Sequence, residues 1–220
     1  MNTYSRFADF QYSRSSESCE LKFTEFETEW FKYRKFKESD FPVLFKWHSS
    51  VENMGYRRDG TKSESETRKY MEWIIAEANA DKCKNFWFAV ERKLDNTLIG
   101  EGIILDVPEN PELGWLVDKN CWGNGYGIEI GNALLTYSFQ VLNLRRIIAA
   151  CHVENHASYK LMEKIGMRRE AHFIKEKPYG DEWCDRYQYA ILREEWENFK
   201  IRLFDKESRE YYNLGRCEGG

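Results

Sequence analysis

The stretch Cys121-Trp122-Gly123-Asn124-Gly125-Tyr126-Gly127 sets three glycines on alternate positions and then runs into a helical pattern, with Ile130, Leu134, Tyr137 and Val141 on one face. Just before it, "ELGWLVD" (112–118) has the character of a strand. Glycine loses more backbone freedom on ordering than any other residue, so such a cluster implies a tight turn or a close approach to the backbone. A helix N-terminus carries unpaired N–H groups and about half a positive charge, so a strand, glycine loop and helix in succession form a natural anion site. Two known phosphate loops do not fit. A Walker loop ends in Gly-Lys-Ser/Thr, whereas this one continues Tyr126-Gly127-Ile128. A dinucleotide fingerprint needs a glycine where Ile128 stands and an acid near the region held by Asn143 and Arg145.

At 220 residues the chain is long enough for one domain with a large core. Its formal charge of −4 and pI near 5.7 give no sign of nucleic-acid binding. No window matches a secretory leader or the unbroken apolar length of a membrane span. The six cysteines are scattered without a CxxC pair, which suits reduced thiols in a cytoplasmic protein. Cys151, His152 and His156 match no usual zinc spacing, so no metal site is expected.

Residues 1–24 are polar and Ser/Arg-rich and form an N-terminal extension; 25–197 make the main domain, and 198–220 are a charged helical tail. Residues 26–41 suggest a strand and then a helix start capped by Ser39 or Asp40, with Phe41, Leu44, Phe45 and His48 at helical spacing. A second helix fits 63–79, with Ser65 as N-cap and Tyr70, Trp73, Ile74 and Ala78 on one face. The segments 85–92 and 97–107, joined by Lys-Leu-Asp-Asn, read as an antiparallel pair. After the glycine helix come a strand at 145–153 and a short helix at 155–167. That helix is capped by Asn155, stopped by Gly166, and turns Ala157, Leu161 and Ile165 inward. A strand at 183–192 closes the sheet.

The run "CWGNGYGIEIGNALLTYSF…LNLRRIIAACHVENHASYKLMEKIGM" resembles the acetyl-CoA-binding core of the GNAT N-acetyltransferase superfamily, and within it the RimJ/RimL-like branch of ribosomal-protein N-terminal acetyltransferases. Gly125 and Gly127 match the two small residues of the family loop, and Asn155, Ser158 and Gly166 match its second element. Trp122 stands where the superfamily has Gln or Arg, and Met167 where it has Phe. The resemblance implies an α/β (α+β) fold: a single domain with a mixed, twisted central sheet, splayed beside the strand containing Trp115, and helices on both faces. It implies acetyl-CoA as cofactor. Pyrophosphate would lie on the backbone of Trp122, Gly123, Asn124, Gly125, Tyr126, Gly127 and Ile128. The pantetheine arm would pair with Leu116, Val117 and Asp118, with Asn155 and Ser158 near its reactive end. Alternatively the chain is a non-catalytic acyl-CoA-binding or regulatory domain.

Acyl transfer to an amine needs a base, a donor to the developing oxyanion and a way for the thiolate to leave. Glu112 aligns with a base position of several superfamily members, and Glu101, flanked by apolar residues, competes with it. A backbone N–H near Leu116 or Val117 is the oxyanion donor. The usual tyrosine acid is replaced by Met162, so Ser158, water, Tyr187 or Tyr189 must serve the thiolate. Cys151 and His152 are adjacent on a strand, face opposite ways and make a poor nucleophile–base pair. Trp47, His48, Tyr56, Trp73 and Trp183 are candidate lining residues of the acceptor cleft, their aromatic character suiting a cation. The expected partner is a small-molecule amine (aminoglycoside, polyamine or amino sugar) or a protein N-terminus, with no nucleic acid and no membrane; assembly as a homodimer is compatible with this.

Overall fold

The computed structural model describes residues 21–57, 59–179 and 182–201. The first twenty residues and most of the charged tail, including Cys19 and Cys217, lie outside the described residues. Eight strands form one sheet: β1 (Phe26–Glu27), β2 (Phe31–Arg34), β3 (Phe86–Arg92), β4 (Thr97–Leu105), β5 (Glu112–Val117), β6 (Arg146–His152), β7 (Arg168–Tyr179) and β8 (Glu182–Leu192). Their spatial order is β1-β2-β3-β4-β5-β6-β8-β7. Every neighbouring pair is antiparallel except β5 with β6, which run parallel.

A parallel pair needs a long crossover, and the helix α4 (Tyr126–Thr136) supplies it. Its N-terminus is thereby fixed beyond the C-terminal end of β5. The parallel pairing is short. Only Glu112 with Ile148 and Leu113 with Ala149 are in register, although β5 continues to Val117 and β6 to His152. The two strands part after two residues and leave a wedge between Trp115 and the end of β6.

Alternation along β5 assigns the two faces of the sheet. Leu113, Trp115 and Val117 join the cluster with Ile130, Leu134 and Ile165, under α4 and α5 (His156–Lys164). Leu116 joins the opposite cluster with Leu44, Trp47, Met71 and Ile74, under α1 (Phe41–His48) and α3 (Glu64–Ala78). Between those two helices lies the single turn of α2 (Val51–Met54). A final helix, 193–201, buries Trp196 against Phe139 at 5.2 Å.

Several local readings need correction. The N-cap of α3 is Ser63, not Ser65, because Ser63 and Glu66 form a reciprocal capping box. Its buried face is Thr67, Met71, Ile74 and Ala78, which leaves Trp73 49% exposed. Asp40 precedes α1 but does not cap it; its carboxylate is held by both terminal nitrogens of Arg34 and by the Lys37 N–H. Ala157 is exposed, and Met162 takes the inward position beside Ile165. The strand at 182–192 does not close the sheet, because β7, absent from the sequence reading, pairs outside it. Leu21 and Phe23, assigned to the extension, pack on the core.

The end of β5 is fastened to α1 by a buried charge. Asp118 accepts from Trp47 Nε1 at 2.8 Å, from the Asn120 N–H at 2.9 Å and from Lys46 at 3.3 Å. Burial alone would raise this carboxyl, but those donors outweigh it and hold its pKa below the usual value. Trp47→Phe keeps an aromatic ring but removes one buried donor and part of a fully buried side chain, so it should cost at least about 1–3 kcal/mol in denaturant unfolding at neutral pH. A carboxyl whose folded pKa lies below its unfolded value stabilises above the unfolded pKa and loses that contribution as pH falls through the folded one. The Phe variant should therefore lose less stability than the parent on acidification below about pH 4.

Candidate active site

The two left-handed residues of the loop are Gly123 (φ 79°) and Gly125 (φ 78°), and Gly125 is the N-cap of α4. With no side chain, that N-cap offers no side-chain acceptor to the first turn; its carbonyl takes the Ile128 N–H at 3.1 Å, so of the predicted loop contacts the Ile128 N–H is already engaged within the helix. A Cβ built on Gly123 would meet nothing within 4 Å, so this part of the loop is open to a ligand. Gly127 has a different task. A Cβ there would lie 2.8 Å from Leu161, and one on Gly131 would lie 3.0 Å from Ile165, so these two glycines let α5 pack closely on α4. Tyr126 and Ile128 point into the core, Tyr126 standing edge-on to Phe31 at 5.1 Å. Asn124 is tied back to the carbonyls of Cys121 and Trp122, both at 3.1 Å. The Trp122 ring is 55% exposed, and its Nε1 donates to the Val117 carbonyl at 2.8 Å.

Backbone direction on β5 refines the expected contacts for the arm. The Asp118 N–H donates to Ile99, on the β4 side. Alternation then turns the Leu116 backbone toward β4 as well, and turns Trp115 and Val117 toward the wedge. Leu116 and Asp118 are thus spent on the sheet and on Trp47, and only Val117 of the three predicted residues faces the opening; Trp115 joins it.

On the α1–α3 face, beside Leu116, lies a buried polar cluster. Glu101 is opposite Leu116 in register, fully buried, and pairs through Oε1 with Arg57 Nη1 at 2.6 Å. His48 is also fully buried, edge-on to Tyr70 with ring centroids 4.9 Å apart. Burial pushes the His48 pKa down to about 4, so its ring is neutral at pH 7. Burial and then the Glu101 charge push the Tyr70 phenol well up. Trp87, 4.4 Å from Trp73 and 6.5 Å from Tyr70, continues the aromatic wall. Arg57, Tyr70 and Trp87 were not foreseen; the only signal for Arg57 was a charged, glycine-flanked loop at 55–60.

Other predicted residues fall elsewhere. Glu112 is half-buried at the closed end of the wedge, four residues and about 13 Å along β5 from Leu116. Trp47 is wholly buried and serves Asp118, so it does not line a cleft. Tyr56 is half-exposed and stands against His152 of β6, at 5.8 Å between rings. Trp183 stands on the β7–β8 hairpin, 61% exposed. Asn155 caps α5 by accepting from the Ser158 N–H at 3.1 Å. Ser158 is half-buried against the Cys151 thiol, which burial pushes up to about 11, too high for a nucleophile at neutral pH. Met162 is buried in the core cluster, and Tyr189, also buried, donates to Glu163 at 2.8 Å. A shallow hollow between Pro108–Pro111 and Arg145–Arg146 lies at the closed end of β5, away from the glycine loop.

The Acetyltransferase (GNAT) domain family matches residues 31–168. The chain belongs to this family. It is 37% identical to the uncharacterized N-acetyltransferase YnaD of Bacillus subtilis over 165 residues, covering 74% of this chain and 94% of that protein. A GNAT-family acetyltransferase from Bacillus anthracis superposes with a TM-score of 0.71 at 35% identity, covering 78% of this chain and 99% of that one. A spermidine N-acetyltransferase from Vibrio cholerae, solved with CoA and spermine, has the same fold at TM-score 0.66 and 22% identity, over 76% of this chain and 97% of that one. The protein is an acetyltransferase, and acetyl-CoA is the cofactor of its family. The residues present fit that cofactor: an open loop at Gly123, a start of α4 with no side-chain cap, and strand backbone turned into the wedge.

Gly125→Asp adds a side chain at positive φ and a negative charge at the helix N-terminus. CoA affinity measured by calorimetry should drop at least tenfold, with the fold kept by circular dichroism; equal affinity would remove the loop from the cofactor site. A second expectation concerns His48. Its folded pKa lies below its unfolded value near 6.5, so the unfolded chain binds more protons in between. Stability is full above about pH 6.5 and should fall by on the order of 3 kcal/mol as pH drops toward 4. His48→Phe should flatten that part of the pH–stability curve.

Proposed function

We propose that this enzyme acetylates the primary amine of a small molecule by direct attack within a ternary complex, and that it belongs to the RimJ/RimL-like branch of its family. The observation that carries this is the placing of two half-sites on either side of one strand. The α4 mouth and the wedge-facing backbone of Trp115 and Val117 serve the cofactor, and the buried Glu101 serves the amine. Acetyl-CoA, when bound, supplies the acetyl group as an activated thioester.

An alkyl ammonium must lose a proton before it can attack, and a carboxylate acting through water is a suitable base. Glu101 takes that role in our reading. It sits level with the open part of the wedge, whereas Glu112 sits where β5 and β6 are still joined. Arg57 offsets the cost of burying the Glu101 charge, and the rings of Tyr70, Trp73 and Trp87 form a wall suited to a cation. The Val117 N–H, turned into the wedge, donates to the carbonyl oxygen as it gains charge. Ser158, at the start of α5, donates to the departing sulfur. The small-molecule acceptor is supported by the roof of α1 and α3 over Glu101, and by the polyamine substrate of the similarly folded Vibrio cholerae enzyme.

Release of CoA thiol against a panel of amines tests the activity; CoA binding without turnover on any amine would favour a non-catalytic domain. Glu101→Gln should lower kcat at least a hundredfold, most steeply at low pH where free amine is scarcest, and leave the Kd for CoA within about twofold. Glu112→Gln should retain most of its turnover. The reverse pattern would transfer the base to Glu112.

A further inference from the structure

Among the described residues, buried side-chain nitrogen and oxygen atoms without a hydrogen-bond partner gather around Glu101. They are both ring nitrogens of His48, Thr67 Oγ1 and Glu101 Oε2, and beside them the Tyr70 hydroxyl meets only Arg57. His48 and Tyr70 are in ring contact, and Thr67 lies one turn before Tyr70 on the buried face of α3. The Arg57 guanidinium donates to Glu101 Oε1 and also to the Tyr70 oxygen, which leaves the Tyr70 O–H free to donate. A buried polar atom left unpaired carries its full desolvation cost, so four such atoms beside a half-satisfied hydroxyl call for a partner outside the chain. Ordered water can fill that need in the free protein.

The kinds of atom restrict the partner. Thr67 and Tyr70 each offer a hydroxyl that donates and accepts, and a neutral imidazole offers one donor and one acceptor nitrogen. Glu101 Oε2 only accepts. A protonated polyamine brings donors on a methylene chain; it suits Glu101 but leaves the Thr67, Tyr70 and His48 donors without acceptors. Hydroxyl groups supply both functions. A carboxylated amine fits less well, because the nearby cations are already committed, Arg57 to Glu101 and Lys62 to Asp59. Arg57 is 27% exposed and runs from the surface to the Glu101 carboxylate, which makes it the side chain by which the cluster meets solvent.

Building on the reading above, we infer that the acceptor is a hydroxylated primary amine, an amino alcohol or amino sugar: its ammonium meets Glu101, and its hydroxyls bond His48, Thr67 and Tyr70. Such a site discriminates strongly against an analogue lacking the hydroxyl, because the protein's own buried groups are then left unpaired.

The test compares 2-amino-1,3-propanediol and glucosamine with isopropylamine, propylamine, cyclohexylamine and spermidine, following CoA release by the wild-type enzyme. At least a tenfold higher kcat/KM is expected for glucosamine than for cyclohexylamine, for 2-amino-1,3-propanediol than for either isopropylamine or propylamine, and for both hydroxylated amines than for spermidine. His48→Phe keeps the ring and removes both nitrogens. It should reduce the preference at least tenfold without changing the calorimetric Kd for CoA, and Thr67→Val, a smaller change, should act in the same direction. Equal or better use of spermidine or the alkylamines overturns the hydroxyl assignment alone, as does an unaltered preference in both variants. Failure of every amine to release CoA from a chain that binds it overturns the acetyltransfer reading beneath it.

Discussion

The site depends on a parallel strand pair that stops pairing after two residues. β5 and β6 are bonded at Glu112–Ile148 and Leu113–Ala149, and beyond that each strand keeps only its outer partner, β4 or β8. A sheet interior normally satisfies every backbone group, so strands that part within it leave N–H and C=O groups in need of a guest. The crossover helix α4 then brings its N-terminus to the same opening, because it must start where β5 ends. The anion site and the strand-like slot are consequences of one topological fact.

The glycines show how one motif can hold two kinds of constraint. Gly123 and Gly125 have the backbone conformation that side chains disfavour, and they shape the turn at the helix mouth. Gly127 and Gly131 lie inside the helix, where α5 presses Leu161 and Ile165 against them. The alternate spacing in the sequence suggested one purpose for Gly123, Gly125 and Gly127. Only the packing separates the first two from the third.

The order of strands 3 to 6, the glycine junction and the Asn155 cap were legible because each rests on local chemistry: alternation, turn residues, a side-chain acceptor at a helix start. Strand β7 was not, since "RREAHFIKEKPY" is charged and half-exposed and has no clean period. Ser63 was passed over for Ser65 because two serines and two acids alternate within four residues, and only the reciprocal bonds to Glu66 decide. The largest gap was the polar cluster. His48 and Trp47 are neighbours on α1, yet one is bonded to Asp118 and the other faces Glu101 and Tyr70; no periodicity distinguishes them. Arg57 came from a loop, where sequence gives no direction for a side chain at all.

That cluster also bears on which carboxylate matters. A buried ion pair such as Arg57–Glu101 adds little net stability, because the cost of removing both charges from water nearly cancels their attraction. Apolar residues of the same size would serve a core flanked by Trp47, Trp87 and Ile103 at least as well. A stability argument therefore gives no reason for Glu101 to be charged, and still less for its second oxygen and both nitrogens of His48 to be left unbonded. Such groups have a use when a ligand completes them. Glu112 has no comparable setting: it is half-buried at a strand end, where a carboxylate is cheap to keep. The uneven cost of the two carboxylates is the physical ground for assigning the chemistry to the more expensive one.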